Sequence, residues 1–201
     1  MPTKNTVRYF DVPAYYHVYN RGAGKQPIFL DDRDRKKFIS LLQRHLDPND
    51  KSMRGDGYEY PKYKVKLVAY CLMPNHFHLL LYQEDEITAI SEFMKSLLTA
   101  YTMYFNLRHK SFGHLFQGVY RAARVTEESY LIHITRYIHM NPRYYLRYKW
   151  SSIAVYLGDV APAWLHPELV ETASAEQYRQ FLAEYEGRKA ELELLKEQLA
   201  I

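Results

Sequence analysis

The sequence predicts an α+β fold of the ferredoxin-like kind, with helices on one face of an antiparallel sheet and a helical extension at the C-terminus. Three observations predict it. Strand-like and helix-like segments follow each other in the order strand, helix, strand, strand, helix, strand, helix. The helical patterns after the first and third strands are amphipathic, so each has an apolar face to lay on a sheet. The last segment, residues 173–200, has a separate helical pattern and is acidic.

The first predicted elements are a strand, a helix and a long loop. Residues 14–21 are predicted as the first strand, which ends at a glycine-containing turn. Asp31 or Asp32 can cap the helix that follows. Residues 47–62 are polar and rich in turn residues, and their length is typical of an insertion. The apolar positions of the helix are Phe38, Ile39, Leu41, Leu42 and Leu46.

The next predicted elements are a pair of strands, a long helix and a further strand. Residues 63–72 and 75–83 are apolar strands joined by a tight connection. Residues 115–125 return as a strand or a bent hairpin. The helix between them carries the clearest apolar stripe of the chain, at Ile90, Phe93, Met94, Leu97, Leu98, Tyr101, Tyr104 and Phe105.

Two more helices are predicted after the last strand. The first covers residues 127–140, with Thr126 as its cap. Because Pro142 disfavours helical geometry in the residue before it, Asn141 is expected at the final turn. The second covers residues 173–200 and is expected to be interrupted at Gly187.

The composition predicts a folded protein, and we expect it inside the cell. The chain has 201 residues, of which 47% are hydrophobic, enough for one sizeable core. It has no uninterrupted apolar stretch of about 18 residues and no signal-peptide pattern at its start, so we expect a cytoplasmic protein without a membrane segment. The single cysteine, Cys71, excludes a disulfide framework and a cysteine-rich zinc site.

Charge is distributed unevenly along the chain. Residues 1–150 carry a net charge of +9 and residues 151–201 a net charge of −5. A basic body is typical of a domain that binds a polyanion, and the 20 tyrosines offer faces on which unpaired bases stack. Similar asymmetry also occurs in proteins that bind no nucleic acid.

The segment His76-Phe77-His78 closes an apolar strand and is the most informative part of the sequence. Residues two apart on a strand point the same way, with roughly 7 Å between their Cα atoms. Two imidazoles placed in this way can converge on one metal ion. A pair of histidines on a solvated strand face, with no ligand, is the alternative interpretation.

Five segments together resemble the single-tyrosine transposases of the HUH superfamily, named for its His-hydrophobic-His motif. The likeness is strongest to the transposase-like proteins that are associated with repetitive palindromic sequences. The segments occur in family order within residues 15–158: YHVYNRG at 16–22, MPNHFH at 73–78, GHLFQGVYRA at 113–122, YIHMNP at 137–142 and WSS at 150–152.

The resemblance implies an enzyme and assigns its site. It implies that Tyr137 is the nucleophile and that Asn141 is a third metal ligand beside His76 and His78. It further implies that a strand of DNA is cut through a 5′-phosphotyrosine and rejoined, and that the substrate is single-stranded DNA with a hairpin nearby. Phosphate chemistry favours Mg²⁺ or Mn²⁺ as the metal, although imidazole ligands do not exclude zinc or nickel.

Further residues are candidates for supporting roles. His17 lies on the first strand and is a candidate for the second shell of the metal site or for contact with DNA. His139 faces away from Tyr137 on the helix; a structural role is favoured for it, with proton transfer as the alternative, and it is grouped with His17 as a second-shell candidate. Gln117 and Arg121 lie in a family segment near the site, and contact with DNA is expected of them. Arg21, Arg124, Arg136 and Arg143 are candidates for phosphate contacts on charge alone.

Two other protein classes share part of this sequence pattern. The two-histidine phosphoesterases need paired His-x-Thr/Ser motifs on strands, whereas only His133-Ile134-Thr135 matches, and on a predicted helix. A catalytically silent or domesticated DNA-binding protein of the same fold is the alternative function. We expect residues 1–158 to be the enzymatic domain. The acidic extension, 159–201, carries a heptad-like stripe that would pack on its own domain or pair two copies in a homodimer.

Overall fold

A computed structural model of the chain describes residues 10–171 and 174–199, with a four-stranded antiparallel sheet among them. The strands are β1 (Ala14–Arg21), β2 (Val65–Met73), β3 (His76–Gln83) and β4 (Arg121–Val125), in the spatial order β2-β3-β1-β4. All neighbouring strands run antiparallel. The sheet and the helices that cover it confirm the predicted fold class.

Helices α1 (Asp32–Leu46) and α2 (Ala89–His109) lie on one face of the sheet. The carboxylate of Asp31 caps α1, because it accepts hydrogen bonds from the backbone N–H groups of Arg33 and Asp34. Asp31 is one of the two residues predicted for this role. Phe38 of α1 and Leu97 of α2 are fully buried with Phe77 of β3. This core explains the two amphipathic patterns in the sequence.

The end of β1 is held against the turn between β2 and β3. The N–H of Gly22 donates to the carbonyl of Asn75 over 2.8 Å, and that of Ile28 donates to the carbonyl of Pro74 over 2.8 Å. A Cβ atom on Gly22 would lie 2.0 Å from the backbone oxygen of Gln26, so only glycine fits there. These contacts fix the end of β1 beside the start of β3.

The C-terminal helices cover the other face of the sheet. They are α3 (Leu131–His139), α4 (Ile153–Tyr156) and α5 (Ala175–Leu199). Leu131 and Ile138 of α3 are buried with Tyr178 and Leu182 of α5. The sheet contributes Val68, Cys71 and Leu80 to this second core. The expected domain boundary at residue 158 falls between α4 and α5.

The start of α3 differs from the sequence prediction. Residues Glu128–Tyr130 form a separate 3-10 turn, and α3 begins only at Leu131. Thr126 is not its cap: the capping position is Tyr130, which makes no side-chain capping hydrogen bond. The helix is fixed by the burial of its apolar face instead. It ends at His139, so Asn141 lies just beyond the last turn.

Two other predictions need correction. The segment 115–125 is a strand only over Arg121–Val125, preceded by a single bridge between Gly22 and Phe116. α5 runs without interruption through Gly187, because one glycine weakens a helix without ending it. Residues 173 and 200, the predicted ends of that helix, lie outside the described residues. The side chains of Leu192, Leu195 and Leu199, which belong to the predicted heptad-like stripe, also lie outside the described part of the chain.

Within the described part of the chain, no helix has the length and apolar character needed to cross a membrane.

Candidate active site

Three histidines lie together on the sheet face that α3 covers. His76 and His78 alternate with the fully buried Phe77 on β3, so both rings point to this face. His17 of β1 is beside them, and its Nε2 lies 2.9 Å from Nδ1 of His78. The rings of His17 and His78 are stacked with their centroids 5.0 Å apart. His17 therefore touches one of the two predicted metal ligands directly.

The amide of Asn141 lies between the two histidines of β3. Its Oδ1 lies 3.0 Å from Nε2 of His76, and its Nδ2 lies 3.4 Å from Nε2 of His78. α3 delivers Asn141 to this position from just beyond its C-terminus. The structure thus brings the three predicted ligands together from a strand and a helix end that lie more than 60 residues apart in sequence.

Both ring nitrogens of His76 contact a side-chain amide. Asn75 donates its Nδ2 to the carbonyl of Lys25 over 3.2 Å, which leaves its Oδ1 facing Nδ1 of His76 at 2.7 Å. On the other side of the ring, Nε2 of His76 lies against the amide oxygen of Asn141. Imidazole nitrogens and amide oxygens are both ligand atoms for divalent cations.

The same donor set suits a divalent cation. In octahedral coordination, neighbouring ligand atoms lie roughly 3 Å apart, close to the separation between His76 and Asn141. Among the described residues, no cluster of three or more His, Cys, Asp or Glu side chains could hold a metal. The candidate protein ligands at this place are therefore the imidazoles of His76 and His78 and the amide oxygen of Asn141.

All three histidines of this face are held in the uncharged form. Burial lowers the pKa of His17 to about 4. Burial, with the neighbouring His17 and His76, lowers the pKa of His78 well below its usual range. Burial also lowers the pKa of His76, and the positive charge of Arg21 acts in the same direction, while the contact with Asn141 opposes both. Uncharged imidazoles keep the lone pairs that metal binding requires.

Tyr137 extends from α3 over these rings. Its ring meets His17 and His78 edge-on, with centroid distances of 5.7 and 5.5 Å. The residue is 53% exposed, so its hydroxyl is open to solvent and to a ligand. A phenol next to uncharged histidines and accessible from outside is placed as a nucleophile needs to be.

A cavity of about 800 Å³ opens beside Tyr137. Arg21, Lys25 and Arg121 give its wall positive charge, and Arg21 donates a hydrogen bond to Gln117. None of the residues described as lining it is acidic. A positive cavity of this kind favours a phosphate backbone. The full lining is Tyr19, Asn20, Arg21, Lys25, Asn75, His76, His78, Gln117, Val119, Arg121 and Tyr137.

Three of the predicted phosphate-binding arginines lie outside the lining of this cavity. Arg124 forms an ion pair with Asp11 over 2.5 Å. Arg136 lies between the rings of Phe181 and Tyr185, each 4.2 Å from its guanidinium carbon. The guanidinium of Arg143 lies 5.5 Å from the ring of its neighbour Tyr144. Contacts within the chain thus account for the geometry of all three.

His139 is placed below α3 rather than at the cavity. It is fully buried, and burial lowers its pKa to about 3. Its two ring nitrogens each lie 2.7 Å from a hydroxyl oxygen, that of Tyr178 and that of Ser152. These contacts are of the kind expected for the structural role that the sequence favoured, and His139 does not line the cavity.

Sequence reasoning missed several residues of the cavity. Tyr19 follows His17 by two positions on β1, so strand alternation could have placed it on the same face. Asn75 precedes His76 directly and orients its ring. Lys25 ends the short 3-10 helix Ala23–Lys25, and Val119 comes from a loop; neither segment is long enough or regular enough for periodicity to indicate the direction of a side chain.

Comparison with known families identifies part of the chain. The family described as IS200-like transposases matches residues 59–141. This segment contains both histidines of β3, Tyr137 and Asn141. The match confirms the predicted family resemblance over these residues. No curated protein sequence matches the chain.

Two solved structures are similar to this one. The REP-associated tyrosine transposase bound to a REP hairpin aligns with a TM-score of 0.53 at 12% identity, covering 86% of this chain and 96% of that one. At this identity the likeness concerns the fold. A candidate transposase from Deinococcus radiodurans R1 aligns with a TM-score of 0.40 at 20% identity, covering 69% of this chain and 95% of that one.

Proposed function

We propose that this chain, whose residues 59–141 match the IS200-like transposases, cuts and rejoins single-stranded DNA with Tyr137 as its nucleophile. One observation carries the proposal. The exposed phenol of Tyr137 lines the same positively charged cavity as His76 and His78, and Asn141 contacts both histidines. Nucleophile, ligand set and anion-binding surface therefore meet at one place.

We infer that His76, His78 and Asn141 hold Mg²⁺ or Mn²⁺. The pKa values of both imidazoles are lowered, which favours their uncharged form, and Nε2 of His76 lies 3.0 Å from the amide oxygen of Asn141, so the residues fit a cation. A bound divalent ion supplies positive charge that polarises the oxygens of a substrate phosphate. His17 supports this site if it accepts the Nδ1 proton of His78, because that leaves Nε2 of His78 free as a ligand.

In the proposed reaction the Oη of Tyr137 attacks a phosphorus atom of the DNA backbone. The new bond between Oη and phosphorus forms as the bond from phosphorus to the 3′ oxygen breaks. The phenolic proton passes to solvent in the open cavity, and the 3′ oxygen takes up a proton. The product is a 5′-phosphotyrosine and a free 3′-hydroxyl. Because the covalent link is a phosphodiester, the reverse attack rejoins strands without a nucleotide cofactor.

The substrate follows from the charge and the aromatic residues of the cavity. Arg21, Lys25 and Arg121 suit backbone phosphates, and Tyr19 offers a face for an unpaired base. The similar REP-associated transposase is described as bound to a REP hairpin. We propose hairpin-flanked single-stranded DNA as the substrate here as well. The homodimer and the cytoplasmic location stay predictions.

The test is the formation of a covalent complex. The purified chain is incubated with Mg²⁺ or Mn²⁺ and labelled single-stranded DNA from the flanks of its own gene, then run on a denaturing gel. We expect a protein-linked band that Tyr137→Phe loses while DNA binding persists, since one oxygen is removed and the ring remains. Tyr130→Phe is the matched control, because Tyr130 is similarly exposed on the turn before α3.

The outcomes separate the two functions considered. Duplex DNA of the same sequence should stay uncut. Binding without any covalent band, in the presence of either metal, would contradict the proposal and favour a DNA-binding protein that does not cleave.

A further inference from the structure

A chain of buried hydrogen bonds runs from the sheet to helix α3, on the side opposite the cavity. The backbone N–H of Tyr70 in β2 donates to the hydroxyl of Ser152 over 2.9 Å. The Ser152 hydroxyl lies 2.7 Å from Nε2 of His139, and Nδ1 of His139 lies 2.7 Å from the hydroxyl of Tyr178. Tyr178 then donates to Thr135 over 3.0 Å. Tyr70 belongs to the sheet, whereas Ser152, His139, Tyr178 and Thr135 lie in segments outside it.

The donors of this chain follow from its end at α3. Thr135 donates its hydroxyl to the carbonyl of Ile132, so it accepts from Tyr178. Tyr178 in turn accepts from Nδ1–H of His139, so Nε2 of His139 is an acceptor for the Ser152 hydroxyl, which lies 2.7 Å from it and 3.3 Å from the carbonyl of Tyr70. Each donor meets an acceptor from β2 to the backbone of α3. A buried network in which each donor has an acceptor favours one arrangement of these side chains over alternative arrangements.

The chain is anchored beside the proposed metal site. Cys71, the residue after Tyr70, is paired in register with His78 of β3. Ser152 is itself held on β2, because its N–H donates to the carbonyl of Tyr70 over 3.0 Å. On α3 the network includes Thr135 and His139, which lie before and after Tyr137 in the sequence. The network thus links the strand next to the ligands with the helix that carries the phenol.

α5 completes the attachment. Tyr178 is 1% exposed and Leu182 is fully buried against α3. Further along, Phe181 and Tyr185 enclose the guanidinium of Arg136, the residue before Tyr137. α3 itself has only nine residues and no side-chain cap, so it depends on such contacts for its position.

We propose that this network is a positioning device for the nucleophile, in which Tyr178 and His139 set the place of Tyr137 over His76 and His78. The inference rests on the proposed function and goes beyond it, because it assigns a role in the reaction to the C-terminal extension. In-line attack tolerates little displacement, and an error of about 1 Å can cost 100-fold in rate. α5 is therefore part of the active site although it does not line the cavity.

The test compares two buried tyrosines that each lose one hydroxyl. Tyr178→Phe breaks the network while the ring keeps its packing. Tyr156→Phe is the control. Tyr156 is 5% exposed, and its hydroxyl donates to the carbonyl of Val68 in β2, outside the network. Its ring packs against His139 and Tyr178, and the phenylalanine keeps that packing. We expect both substitutions to lower the melting temperature by similar amounts. Only Tyr178→Phe should slow covalent complex formation, by about 10- to 100-fold at saturating DNA and metal, with DNA affinity unchanged.

A second pair and a second measurement protect the test against simple loss of folding. Thr135→Val removes the acceptor of the Tyr178 hydroxyl, whereas Thr135→Ser retains it. We expect Thr135→Val to slow the reaction and Thr135→Ser to keep most of the rate. Hydrogen exchange of the α3 amides should accelerate by about tenfold or more in Tyr178→Phe and not in Tyr156→Phe.

The results distinguish the inference from the proposed function. If the unaltered chain forms no complex through Tyr137, the proposed function fails. If it does form the complex, and Tyr178→Phe and Tyr156→Phe react at equal rates with equal exchange in α3, the network is structural only and this inference is overturned.

Discussion

Helix α3 separates two histidine environments that are both buried but differ in how their polar atoms are satisfied. On the inner side, both nitrogens of His139 meet a hydroxyl partner in a closed series of hydrogen bonds. On the cavity side, Nε2 of His76 and Oδ1 of Asn141 lie 3.0 Å apart next to an open cavity. A closed buried network stabilises a fold, whereas polar atoms that meet beside an open cavity can also bind a ligand.

The difference also separates the effects expected from mutation. Groups on the cavity side line the proposed reaction site, so removing them should cost activity above all. Groups on the inner side complete buried pairs, so removing them should cost stability directly. The predictions below test this contrast.

The largest effect is expected from the cavity histidines. His78→Ala or His76→Ala should reduce covalent complex formation more than about 100-fold, since even residues that only support a metal ligand often cost 10- to 100-fold. DNA affinity and the melting temperature should change little. His133→Ala is a suitable control, because His133 lies on α3 with its ring against Phe181. Cleavage that stays metal-dependent and unchanged in either cavity variant would refute the ligand assignment.

A smaller effect, on stability, is expected from the inner network. Ser152→Ala leaves Nε2 of His139 without a donor and the N–H of Tyr70 without its side-chain acceptor. The free energy of unfolding should fall by about 1–3 kcal/mol, the cost of leaving buried polar groups unpaired. Urea unfolding measures it, with Ser40→Ala as the exposed control. Equal stability of the two variants would show that the network is not closed as described.

The most gradual effect is a pH dependence shared by both sides. The pKa of His17 is lowered to about 4 and that of His139 to about 3, so the unfolded chain binds protons at these sites before the folded chain does. Stability should therefore be fully present above about pH 6.5 and fall as the pH drops below it, by about 1.4 kcal/mol per pH unit for each such histidine. Urea unfolding between pH 6.5 and 4.5 gives the slope. A flat profile in metal-free protein would contradict the burial of these rings as neutral groups.

Much of the cavity side could be predicted from the sequence. Strand alternation places His76 and His78 on one face, and the proline after Asn141 fixes the end of α3 near that residue. The bounds of β1 agree with the predicted segment because turn residues follow it directly. Only the family motif indicated that α3 lies beside the histidines of β3, because no local sequence pattern contains this information.

The inner side could not be predicted in the same way. His139 and Tyr178 are 39 residues apart, and nothing in either local pattern indicates that they meet. Arg136 looked like a phosphate ligand because charge alone does not reveal the two aromatic rings around it. The start of α3 was predicted from capping chemistry, whereas burial of Leu131 decides it. Long-range packing is the common cause of these differences.

The most direct test of the central claim is to identify the residue that carries the DNA. The covalent complex is trapped with a short labelled single-stranded oligonucleotide, digested with a protease and sequenced by mass spectrometry. We predict that the nucleotide is attached through its 5′ phosphate to Tyr137, the tyrosine whose ring contacts both His17 and His78. A nucleotide on Tyr130, Tyr144 or Tyr145, or a complex that Tyr137→Phe still forms, would contradict the account.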